Sequence, residues 1–158
     1  MAMKELTATR AELEAYIGKK ATTPFYKKTL DKYLINPNKP IWSPVAFFLN
    51  AFWLAYRKAF IPSLIVLVAY LSILIAIPFP LSIILFVTIL LLMGFFGTNI
   101  YLLSVEKEID KIKKKNNNIR GKKLLELLTE RGAPSNQLSF IMVWGIIMIL
   151  TIILLNRK

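Results

Sequence analysis

The chain has 158 residues, 56% apolar and 19% charged, with mean hydropathy +0.54, too apolar for intrinsic disorder or an ordinary soluble domain. Its 21 Lys and Arg outweigh 9 Asp and Glu, leaving +12, so an anionic partner is expected, either nucleic acid or a membrane surface. Cysteine and histidine are both absent, which removes disulfides, thiolate nucleophiles, imidazole bases and the usual ligands of zinc, copper, haem and iron–sulfur clusters; no cofactor and no metal are expected.

Residues 1–40 read as a cytoplasmic helical region without a signal peptide, since they hold no apolar run of 7–15 residues. Thr9 to Glu12 fits a capping box. Leu13, Tyr16 and Ile17 then share a face, and Gly18 offers a left-handed stop. Thr23-Pro24 starts a second helix with proline at its first position. Its apolar stripe is Tyr26, Leu30, Tyr33 and Leu34, and Asn36-Pro37-Asn38 ends it.

Residues 41–58 form an aromatic segment. Ser43-Pro44 repeats the cap-then-proline start, and Val45 to Tyr56 is almost wholly apolar. About 14 helical residues reach about 21 Å, short of the roughly 30 Å hydrocarbon core. Trp42, Phe48, Phe52, Trp53 and Tyr56 suit the membrane–water boundary, where amphipathic rings collect. The segment therefore reads as an interfacial or shallow re-entrant helix. Arg57 and Lys58 at its end are expected to reach anionic headgroups.

Residues 59–103 read as a transmembrane hairpin. Segments 60–77 and 81–103 carry no charge, so both can enter hydrocarbon without burying an ion. Pro78-Phe79-Pro80 breaks the helix between them and forces the two spans antiparallel. The second span meets no breaker and continues through Val105, Ile109 and Ile112 as an amphipathic stalk. Within it, Gly94 and Gly97 allow close helix packing, and Asn99 is expected to hydrogen-bond across helices.

Residues 104–137 form a basic cytoplasmic stalk and loop. Glu106, Glu108, Asp110, Glu126 and Glu130 alternate with lysines there and read as solvated pairs, as in Asp110 with Lys114. Lys122 to Arg131 is a short leucine-rich helix stopped by Gly132 and Pro134. Residues 138–158 hold a third uncharged span, 138–155, and a short outer tail. The fold class is thus an all-α integral membrane protein with three spans, an aromatic interfacial helix and cytoplasmic amphipathic helices. Residues 1–58 hold ten Lys and Arg, and 104–137 hold nine, which the positive-inside rule keeps in the cytoplasm. That puts the N-terminus inside and the C-terminus outside.

The stretch Trp42-Ser43-Pro44-Val45-Ala46-Phe47-Phe48, followed by Phe52-Trp53-Leu54-Ala55-Tyr56-Arg57-Lys58, resembles the signature of a family of small bacterial membrane proteins known only as a domain of unknown function. Gly97-Thr98-Asn99-Ile100-Tyr101 and Arg131-Gly132-Ala133-Pro134-Ser135 extend the likeness over roughly residues 25–137. At Asn50-Ala51 the chain departs from it, where the family often has glycine followed by proline or a small residue. The resemblance implies a bacterial inner-membrane location and carries no activity.

No Ser-His-Asp group, carboxylate dyad or phosphate-cradling glycine loop occurs, so enzyme activity is not expected. Nucleic-acid binding is not expected either, because the basic residues flank spans without a groove-reading motif. Uncharged spans offer little to a coupled transporter. The reading is a non-enzymatic accessory, scaffold or assembly subunit. Its expected partners are anionic phospholipid and other membrane subunits or further copies of itself. The apolar faces of the cytoplasmic helices are expected to need cover from such a partner. The alternative is a small oligomeric, holin-like pore. Trp53, Tyr56, Arg57 and Lys58 are the sharpest candidates for a headgroup or partner site, with Trp53 and Tyr56 stacking on the Arg57 guanidinium.

Overall fold

The structure is a computed structural model that describes residues 8–116, 119–132, 141 and 145. The expected third span, 138–155, and residues 133–137 of the expected loop therefore lie outside the described residues, apart from isolated helical positions Ile141 and Gly145. Everything described is helix, turn or loop.

Local chemistry sets the helix starts. Helix α1 (Arg10–Ile17) opens on the expected capping box, with Thr9 N donating to Glu12 Oε2 at 2.8 Å and Glu12 N donating to Thr9 Oγ1. Gly18 has φ 71°, but the chain tightens there into a 3₁₀ turn over Gly18–Thr22. Thr23 caps α2 (Pro24–Ile35), and Ser43 caps α3 (Pro44–Tyr56), each accepting from an amide three residues on and followed by proline. This pairing works because proline needs no hydrogen-bond acceptor in the first turn.

Helix α3 is not continuous. Asn50 has φ 44° and ψ −119°, a backbone conformation that glycine adopts freely and L-residues rarely do. Helix α4 (Phe60–Ala76) holds the break: Asn50 Nδ2 donates to Tyr70 Oη at 2.5 Å, and Ser63 Oγ donates to Ala51 O at 2.7 Å.

The corner between α3 and α4 is a Schellman turn. Ala59 N donates to Leu54 O and Lys58 N to Ala55 O, both at 2.9 Å, with Lys58 at φ 61°. Helix α4 begins at Phe60, where the expected span begins, and accommodates Pro62 in its first turn. Pro78 to Pro80 makes the tight reversal, and α5 (Leu81–Lys115) then runs unbroken for 35 residues, about 52 Å. Helix α6 spans Lys122–Gly132.

Among the described residues, α5 is the one helix long and apolar enough to cross a membrane, while α3 and α4 are apolar but shorter. The molecule divides into an apolar hairpin, α4 with the first part of α5, and a packed base. Leu13, Ile17, Leu30, Leu54, Leu102, Ile109, Ile112, Leu124 and Leu128 are fully buried in the base. Along the hairpin, by contrast, Ile61, Leu64, Ile65, Val68, Ile75 and Ile84 stand exposed.

This arrangement corrects one sequence expectation. The apolar stripes of α1, α2 and α6 do not await a partner, because α1 and α6 pack on each other, α1 also rests on the stalk, and the α2 stripe joins the same buried core. Burying a leucine side chain contributes about 1.5–3 kcal/mol, so the intramolecular cover satisfies most of what those stripes require.

Candidate lipid- or partner-binding site

The α3 face and its flanks contain the residues singled out from the sequence, and the structure separates them into two groups. Phe48 and Phe52 point outward with Val45 and Leu49, Phe48 being 76% exposed. Trp42 is half-exposed, lying against Phe95 and Phe47 with ring centroids 4.8 and 5.5 Å apart. These residues continue the apolar surface of the hairpin.

Trp53 and Arg57 face inward. Trp53 meets Tyr101 edge-on at 5.4 Å. Arg57 is only 5% exposed, and its Nη2 donates to Tyr26 Oη at 2.8 Å. Its guanidinium lies 5.1 Å from the Tyr26 ring and 5.6 Å from the Tyr101 ring. The stacking partners expected from sequence, Trp53 and Tyr56, are therefore replaced by Tyr26 and Tyr101, and Tyr56 instead lies under Lys20 Nζ. Arg57 does not extend to the surface, because the Schellman turn directs it toward the base. Burial raises the Tyr26 phenol above its ordinary value, and the neighbouring Arg57 charge partly offsets that.

Lys58 turns the other way. Its Nζ donates to Arg131 O at 2.9 Å, at the C-terminal end of α6, where unpaired carbonyls and the helix dipole favour a cation.

Gly94 and Gly97 seat the start of α3. A Cβ on Gly94 would come 2.4 Å from Trp42 Cζ3, and one on Gly97 would come 3.0 Å from Ala46 Cβ. The bare helix surface also lets the preceding loop pair with it. Ile41 N donates to Phe95 O and Ser43 N to Gly94 O, at 3.0 and 2.9 Å. Asn99 completes this seam, its Nδ2 donating to Pro37 O at 2.8 Å and Lys39 O at 2.9 Å. It thus pins a loop rather than bridging two spans. Asn99→Leu strands both carbonyls and is expected to cost about 2 kcal/mol. The detergent-solubilised protein should melt about 4–8 °C lower while membrane insertion is unaffected; an unchanged melting point would remove Asn99 from the anchorage.

Several residues escaped the sequence reading. Glu106, read there as a solvated acid, is 1% exposed and faces Tyr33. Burial first, then the Glu106 charge, hold the Tyr33 phenol above its ordinary value. Glu12 completes its capping box and also pairs with Lys113, Oε1 lying 2.7 Å from Nζ. The other stalk pairs are as expected, Asp110 with Lys114 at 2.7 Å and Glu108 with Lys111 at 3.2 Å. Tyr26 and Tyr33 did carry a signal, since they belong to the α2 stripe. Nothing local in the sequence distinguishes Glu106 from its solvated neighbours.

No curated protein and no solved structure matches this chain. The family described as Protein of unknown function (DUF2628) matches over residues 23–107, from the α2 cap to the stalk. The stretch takes in Tyr26, Arg57, Asn99 and Tyr101, stopping short of the Arg131–Ser135 motif. More than half of the chain lies within the match, and the protein belongs to that family.

Proposed function

We propose that this chain is a non-enzymatic, multi-pass protein of the bacterial inner membrane, serving as an accessory or scaffold subunit. The observation that carries the reading is the contrast within one molecule. The helical base buries its own apolar stripes, whereas the α4–α5 hairpin and the outer face of α3 leave theirs exposed. Contiguous apolar surface on this scale marks a membrane or partner contact. With 138–155 as a third span, the basic flanks put the N-terminus and stalk in the cytoplasm. Anionic phospholipid then meets the base, and a partner subunit or second copy meets Val45, Phe48, Leu49 and Phe52.

Two measurements test this. Reporters fused after Gly18 and within Asn116–Asn118 should read cytoplasmic, and one after Lys158 external. A cytoplasmic reading at Lys158 would remove the three-span topology. Expression should leave the membrane potential intact, and mild-detergent purification should yield one stoichiometric assembly. Loss of potential with growth arrest would instead establish the pore reading.

A further inference from the structure

A cavity of about 280 Å³ opens where the hairpin meets the base, and its lining is chemically divided. Arg57, Lys58, Lys107 and Lys111 line one part, against the single carboxylate of Glu108. Phe60 and Ile65, 46% and 63% exposed, begin the other wall, which continues into the apolar surface of α4. The basic part of the α5 wall starts at Lys107, two residues beyond Val105, the last residue of its uncharged run.

Arg57 makes the cavity unusual. Among the described residues no carboxylate lies within ion-pair distance of its guanidinium, and its buried Nε has no hydrogen-bond partner. A buried cation without a counter-ion is costly, and such charges are ordinarily paired. The Tyr26 hydroxyl and two aromatic faces compensate part of that cost, but they bring no negative charge. The missing anion has room in the adjoining cavity.

We infer that this cavity binds the phosphate-bearing headgroup of an anionic phospholipid, with the acyl chains leaving along Phe60 and Ile65. Its volume suits a headgroup and not a whole lipid, since pockets that enclose drug-sized ligands start at about 300 Å³. Lys107 and Lys111 are exposed on the stalk and guide the phosphate in, while Arg57 and Lys58 form the inner wall. Glu108 opposes the anion and confines binding to ligands that the four cations outweigh. A free phosphate shares the headgroup chemistry but makes no use of the apolar wall.

The inference rests on the membrane reading, and the test separates the two. Alkaline carbonate extraction of membranes comes first; release of the protein would overturn the membrane reading itself. With the protein retained, the detergent-purified full chain is titrated with phosphatidylglycerol and with phosphatidylcholine, and bound lipid is counted by native mass spectrometry. Phosphatidylglycerol should bind about tenfold more tightly or better, and Lys107→Gln with Lys111→Gln should remove about tenfold of that preference. Both positions are exposed, so the variant keeps the fold. Glu108→Gln should act oppositely and tighten phosphatidylglycerol, a gain that structural damage cannot produce. Equal binding of the two lipids, or a double variant with undiminished preference, would overturn the headgroup site. Competition by millimolar inorganic phosphate that displaces phosphatidylglycerol completely would overturn the lipid assignment in favour of a soluble phosphate.

Discussion

Replacing Gly132 by alanine is expected to detach α6 from α1 and to be the most damaging single-methyl change in the base. The new Cβ would lie 1.9 Å from Tyr16 O and 2.6 Å from Tyr16 C. These are backbone atoms, which cannot rotate aside as a side chain can, so one helix must withdraw from the other. Overpacking of this kind costs about 1–3 kcal/mol or more, and a melting point about 5–10 °C lower should follow. Gly18→Ala supplies the contrast. Nothing lies within 4 Å of a Cβ there, and only the backbone conformation, φ 71° with ψ −151°, resists substitution, for about 1–3 kcal/mol. If Gly132→Ala leaves the melting point unchanged, the close contact between α1 and α6 is not what holds the base together. Because Arg131 O receives Lys58 Nζ, withdrawal of α6 should also loosen the α3–α4 corner.

The second large effect is expected at Arg57 and Tyr26, and its form is diagnostic. Arg57→Met leaves the buried Tyr26 hydroxyl without its partner; Tyr26→Phe leaves Nη2 of a buried guanidinium in the same state. Each orphaned group is expected to cost about 2–3 kcal/mol. The double variant removes both groups together and should therefore lose less than the two single losses added, with a coupling of about 1.5–3 kcal/mol. Arg57→Lys should resemble Arg57→Met, because an ammonium cannot hydrogen-bond the hydroxyl and lie flat against two rings at once. Thermal or denaturant unfolding of the four proteins in one detergent measures the cycle. Strictly additive losses would mean that the 2.8 Å bond and the Tyr26 face contribute nothing to stability.

Both experiments probe contacts that residue patterns alone did not identify, and the difference follows from the range of the forces. Thr9 with Glu12, Thr23-Pro24 and Ser43-Pro44 each cap a helix through partners within three residues, so their outcome was legible in the linear order. The same holds for Pro78-Phe79-Pro80, for the unbroken run from Leu81 to Lys115, and for Val105, Ile109 and Ile112 along its buried face. Periodicity, proline and the absence of charge are local properties, and they sufficed for an all-helical chain with a long apolar helix.

Direction and partnership were a different matter. Arg57 and Lys58 are adjacent and both basic, yet one enters the base and the other crosses to α6, because a Schellman turn stands between them. Asn50 breaks a helix that its apolar neighbours would continue, and Tyr70, twenty residues away, holds the break open. Glu106 is buried while Glu108, two residues on, meets Lys111 at the surface. Composition assigns such residues to water by default, since an isolated charge is expensive to bury. By itself the sequence determined the helices, their caps and the apolar hairpin, all of which depend on neighbours within a turn or two. Only the tertiary structure decided which cations gather at one cavity, because that depends on residues far apart in the chain meeting across packed helices.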